Sequence, residues 1–135
     1  MHEATKLGLP VFVPLTEGGR YDLILDIDGR LLRVQCKSAR RLGEVVAVRA
    51  RTCRRVAGGK LLAGTYSPDE IDLVGVYCPD IDRCYLVPIE DVPPSGSLYL
   101  RLAPSKNRQE VGIKWAKQYE LGAIAQLGER RAGSA

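Results

Sequence analysis

Three side chains in the first third of the chain have types and spacings that could act together: Asp22, Gln35 and Lys37. Between the first two stands Asp28-Gly29, a dipeptide suited to a two-residue hairpin turn, where both positions need positive φ. The spacing predicts strands over Tyr21 to Ile27 and Leu31 to Lys37, with Asp22 directly opposite Gln35. Lys37 lies two residues beyond Gln35 and therefore on the same face. A carboxylate, an amide and an ammonium converge. Asp22 offers a hard oxygen ligand for Mg²⁺, and a divalent ion so held polarises a phosphate and lowers the pKa of a bound water. Gln35 can ligate through its carbonyl or orient the water. Lys37 can hold or help activate that water and offset charge growing on a phosphorane-like transition state. The grouping suits phosphodiester hydrolysis. The same residues also read as a solvated strand face with a loose Asp–Lys pair, which would be worth little to stability.

The elements that must position these groups follow from pattern. Tyr21, Leu23, Leu25, Leu32, Val34 and Cys36 share one face of the hairpin and form a packing surface. Asp22, Ile24 and Asp26 share the other with Arg33, Gln35 and Lys37. A short strand through Val11 and Val13 is expected after Gly8, and Thr16 to Gly19 reads as a loop. A third long strand is predicted over Val45 to Arg51, which places Arg49 and Arg51 on one face. Leu73 to Cys78 and Cys84 to Pro88 form a second hairpin around Pro79-Asp80-Ile81-Asp82. Leu98 to Leu102 is a further strand. Pro68-Asp69-Glu70 is a possible short helix start. Asn107-x-x-Glu110 resembles a capped start, after which Val111, Trp115 and Tyr119 fall four apart on a core-facing helical stripe. We expect one domain over residues 1–127 and a loose tail over 128–135.

Composition narrows the class. The 135 residues are 45% hydrophobic and 27% charged, enough for a core and too apolar for global disorder. No stretch approaches the roughly 20 apolar residues of a membrane span, and the start does not read as a signal peptide. The net charge of +4 is unevenly spread: Arg30 to Lys60 holds ten basic residues and one acid, Glu44. That segment is a candidate polyanion surface. Arg33, Arg40, Arg41, Arg49, Arg51, Arg54, Arg55 and Lys60 are its candidate DNA contacts, directed mainly at phosphates. Cys36, Cys53, Cys78 and Cys84 include no CxxC pair, and the one histidine is His2. Buried free thiols in a reducing, cytoplasmic setting are expected, without a structural zinc site.

Asp22, the Asp28-Gly29 turn and the run Leu31-Leu32-Arg33-Val34-Gln35-Cys36-Lys37-Ser38 together resemble the core of the PD-(D/E)XK nucleases. The resemblance is closest to the small endonucleases associated with group I introns, where glutamine takes a usually acidic position. Gly19-Arg20-Tyr21-Asp22, Tyr77-Cys78-Pro79-Asp80, Tyr85 to Ile89 and Leu102 to Asn107 also look like this group. The resemblance implies an α/β (α+β) fold, a restriction-endonuclease-like mixed β-sheet flanked by helices. It implies metal-dependent cleavage of double-stranded DNA with Mg²⁺, or Mn²⁺ in its place, by a homodimer or homotetramer. Asp22 maps to the metal-binding aspartate, Gln35 to the variant position and Lys37 to the catalytic lysine. Members usually carry another acid on a preceding helix. Glu3 is the candidate for that place and a third metal ligand; Glu17 and Asp26 are the alternatives. A non-catalytic DNA-binding or assembly module on the same scaffold is the competing reading.

Overall fold

The computed structural model describes residues 8–16, 19–55, 61–103 and 113–120, the side chains of 51–55 and 61–65 excepted. Its centre is a five-stranded mixed sheet in the order β1 (Val11–Phe12), β2 (Leu23–Ile27), β3 (Arg30–Ser38), β8 (Leu73–Cys78), β9 (Arg83–Pro88). β3 and β8 run parallel and the other neighbours antiparallel. A parallel pair cannot close through a tight turn, and the connecting chain builds two smaller sheets. β4 (Arg40–Leu42) and β5 (Val45–Arg49) join β10 (Ser97–Arg101) in the order β10-β5-β4, and β6 (Arg51–Arg55) pairs with β7 (Leu61–Thr65).

The β2–β3 hairpin has the turn its residues favour. Asp28 and Gly29 have φ of 54° and 82°, the double-positive requirement of a two-residue turn, and Asp26 Oδ1 accepts the Gly29 N–H at 2.9 Å. The register is the expected one, with Leu23 opposite Val34 and Ile27 opposite Arg30. The second hairpin also lies where its pattern placed it, with β9 beginning one residue earlier, at Arg83.

Strand alternation divides the interior in two. Val74, Val76 and Cys78 of β8 and Tyr85 and Val87 of β9 face the inner side of the three-stranded sheet, which contributes Val46, Val48, Leu98 and Leu100. Leu23, Leu25, Ile27, Val34, Leu73 and Leu86 form a smaller cluster on the opposite face. Leu100 is fully buried. Leu100→Ala is therefore expected to cost about 3 kcal/mol, from lost transfer energy plus the cavity left behind. Urea denaturation reads this directly, and a loss under about 1 kcal/mol would show that the two sheets do not share a tight core.

Five expectations are corrected. The strand predicted over Val45 to Arg51 breaks at Ala50, whose N–H adds a last rung to the β5–β10 ladder, donating to the Gly96 carbonyl at 2.7 Å, before the chain passes into β6. Arg49 and Arg51 consequently belong to different sheets, and alternation along one strand no longer relates them. The helical stripe through Trp115 and Tyr119 is a 3-10 turn, Ala116–Tyr119, preceded by an extended Trp115 in a parallel bridge with Arg101. Ala116 and Tyr119 are still buried, because a three-residue repeat brings them to one side. The Tyr119 hydroxyl donates to Asp91 at 2.9 Å. Tyr21 packs with the main core instead of the Leu23 face. Cys36, expected buried, is exposed at the margin of the smaller cluster, whereas Cys78 is buried and Cys84 half-buried. Val111 and Cys53's side chain lie outside what is described. Pro68 to Glu70 forms a single turn and no helix. Among the described residues the helical elements are two 3-10 turns, the other being Ile89–Asp91, and no helix is long and apolar enough to cross a membrane.

Candidate active site and basic face

Gln35 and Lys37 lie on β3 in register with Val74 and Val76 of β8. Registered neighbours share a face, so both side chains project on the side of the main core. Each is half-buried. Asp22 reaches them differently from the simple cross-strand opposition. Its N–H donates at 2.8 Å to the carbonyl of Val34, the residue paired with Leu23, so the chain slips by one position before β2 begins. Local irregularities of this kind re-aim a side chain at a sheet edge. The exposed Asp22 carboxylate returns to β3, where Oδ2 accepts the Cys36 N–H at 2.8 Å. Cys36 is the residue between Gln35 and Lys37, so the carboxylate lies alongside the stretch of strand that carries them. Although Cys36 is exposed as a whole residue, partial desolvation of its sulfur, and after it the Asp22 charge, pushes the thiol pKa up.

A turn on the far side of the crossover closes this region. Ser67 N–H and Oγ both donate to Glu70 Oε1 at 3.3 Å, and the Glu70 N–H donates to the Ser67 carbonyl at 3.0 Å, which together fix one tight turn. Glu70 Oε2 pairs with Arg20 Nε at 2.6 Å, two residues before Asp22. Arg33 grips the turn's other end. Its Nε meets Asp72 Oδ2 at 3.1 Å, and its guanidinium also donates to the Asp69 and Pro68 carbonyls at 2.7 and 3.0 Å. The Asp72 hydrogen bond raises the Arg33 pKa further. Arg33, expected among the DNA contacts, is thus committed within the protein. Tyr66, immediately before the turn, places its ring with the centroid 5.4 Å from Lys37 Nζ. Sequence reasoning missed this residue. The Ser67-x-x-Glu70 spacing signals the turn, but nothing local points it at Lys37.

The predicted basic residues divide. Arg40 and Arg49 are exposed on the outer face of the β10-β5-β4 sheet. With Leu42, Ala47, Ser97 and the exposed Tyr99 they line an open groove of about 480 Å³. Arg41 is partly committed, its Nε to the Gly43 carbonyl at 2.8 Å and its Nη2 to Glu44 at 3.1 Å. The side chains of Arg51, Arg54 and Arg55, and the whole of Lys60, Glu3 and Glu17, lie outside the described residues. Asp26 is occupied with the Asp28-Gly29 turn.

The donor set fits magnesium in part. Asp22 supplies a carboxylate and Gln35 an amide oxygen, both hard ligands. Among the described residues no group of three or more His, Cys, Asp or Glu could hold a metal ion. Magnesium retains several waters and is commonly held by one or two carboxylates together with substrate phosphates. A sparse protein set is therefore compatible with a centre completed by its substrate.

A search of curated proteins returned no match. Among solved structures the chain is similar to a bacterial homing endonuclease, I-Ssp6803I, with a TM-score of 0.70 and 24% identity over 99% of this chain and 89% of that one. That likeness is one of fold. The family model described as PD-(D/E)XK endonuclease matches residues 1–122. With its central mixed sheet and that match across most of its length, the chain belongs to the PD-(D/E)XK endonuclease family.

Proposed function

We propose that the protein is a metal-dependent endonuclease that hydrolyses phosphodiester bonds in double-stranded DNA, in the manner of a homing endonuclease. The observation that carries this reading is the Asp22 carboxylate drawn alongside β3 between Gln35 and Lys37, in a chain of an endonuclease family. Asp22 Oδ1 and the Gln35 amide oxygen would hold Mg²⁺ or Mn²⁺, and Glu3 is the proposed third ligand. The bound ion supplies Lewis acidity at the scissile phosphate and a more acidic water. Lys37 does the remaining electrostatic work. Its ammonium, a compact charge with three donors, holds the attacking water in line and offsets the charge that accumulates on phosphorus oxygens. The hydrogen bond from Cys36 N–H fixes the Asp22 carboxylate before substrate arrives, so less ordering remains to be done at the moment of reaction.

Arg40 and Arg49 would lie against the phosphate backbone and position the duplex without reading bases. Neutralising two contacts should flatten the slope of log K against log salt by about 2. Arg40→Ala/Arg49→Ala is expected to show that change, with duplex affinity reduced about tenfold at low salt. Fluorescence anisotropy across a salt series measures both, and an unchanged slope would place the duplex elsewhere. Assembly as a homodimer or homotetramer belongs to the same proposal, with sedimentation as its readout.

The direct test of function is incubation of the full chain with a supercoiled plasmid library, with Mg²⁺, with Mn²⁺ and with EDTA. Metal-dependent nicked or linear product is expected. A specific observation favours one competitor: Gln35 stands where an acid would add charge, and the described residues lack a three-acid cluster. A non-catalytic DNA-binding module would bind the library in a salt-dependent way and cut it with no metal.

A further inference from the structure

We propose that Tyr66 is a positioning residue for Lys37, holding the ammonium over its ring so that the charge is delivered at one place. This inference rests on the nuclease reading above. A lysine has a flexible four-carbon stem and about 2 kcal/mol of rotamer entropy, so each contact that narrows its rotamers narrows where its charge is delivered. The 5.4 Å between Nζ and the Tyr66 centroid is within the range at which an aromatic face attracts a cation.

The ring is itself held. Tyr66 is half-buried and packs against the main core. The following turn is closed by the Ser67–Glu70 contacts. Glu70 is tied to Arg20, next to the segment that bears Asp22. Arg33 belongs to β3, the strand of Gln35 and Lys37, and clasps Pro68, Asp69 and Asp72. The two arginines thus join the turn to both chain segments of the candidate site, with Tyr66 immediately before it. A phenylalanine would serve as well, because the contact uses the ring and not the hydroxyl.

Tyr66→Leu and Tyr66→Phe test this. Leucine should lower kcat for plasmid cleavage about tenfold with KM for DNA unchanged, and phenylalanine should keep kcat near that of the wild type. The ε-methylene protons of Lys37 should be shifted upfield by the ring in wild type and Tyr66→Phe, and return to ordinary values in Tyr66→Leu. The wild-type shift needs no variant to fold. A wild type that cuts DNA without the shift overturns the positioning role and leaves the nuclease standing. Normal kcat in Tyr66→Leu, or a loss in Tyr66→Phe equal to that in leucine, overturns it too. A wild type that shows the shift and cuts nothing with any divalent metal retires the nuclease reading and this role with it.

Discussion

Lys37→Ala is expected to lower kcat for metal-dependent DNA cleavage about 10³-fold while changing duplex affinity by less than about threefold. The asymmetry comes from where charge develops. In the bound duplex the scissile phosphate has one negative charge among many that the basic face already meets. In the transition state charge increases at that phosphate alone, and the group beside it is worth about 4 kcal/mol there. Lys37→Arg keeps the charge but replaces a compact ammonium by a planar fork, so it should recover only part of the rate. Single-turnover cleavage of a plasmid beside anisotropy with the same duplex separates the two quantities. Equal losses in both would assign Lys37 to ordinary phosphate binding.

Asp22→Asn should be as damaging to cleavage, about 10³-fold, for a different reason. Asparagine keeps an oxygen that can accept the Cys36 N–H, so the slip before β2 is preserved. The charge that would hold a divalent ion is removed. Duplex binding should persist and tighten slightly, because a carboxylate no longer faces phosphate. The variant also reports on its own local structure through Cys36. Partial desolvation of the sulfur is the larger cause of that thiol's raised pKa and the Asp22 charge the next. Removing the charge should bring the pKa part of the way down. The thiolate is the reactive form, so iodoacetamide should modify Cys36 faster in Asp22→Asn than in wild type at pH 8. The two rates should converge once the pH exceeds both pKa values. Faster alkylation with cleavage retained would show that the carboxylate sits where described and is not needed by the metal.

Much of the central sheet was legible because it depends on near neighbours. Asp28-Gly29 defines a turn type, the turn sets a register, and alternation sorts Leu23, Leu25 and Val34 from Gln35 and Lys37. The second hairpin follows the same logic. β4 was not legible, since Arg40 to Leu42 is exposed throughout and has no buried alternation to read. Nor was the break at Ala50, where the chain leaves the sheet that β5 shares with the distant β10 and enters the β6–β7 pair.

The candidate site shows the same division. The sequence by itself determined that an amide and a lysine share one strand and that an acid stands at the head of the strand joined to it by one turn, because side-chain period and turn chemistry act over a few residues. Only the tertiary structure decided how Asp22 enters, by a one-residue slip and a bond to Cys36. It also decided that Arg33 serves the 67–72 turn, and that Tyr66 meets Lys37. Those outcomes depend on β3 pairing with β8 after a long crossover, and on ion pairs whose partners stand 39 and 50 residues apart, Arg33 with Asp72 and Arg20 with Glu70. A local pattern cannot encode a partner it does not contain.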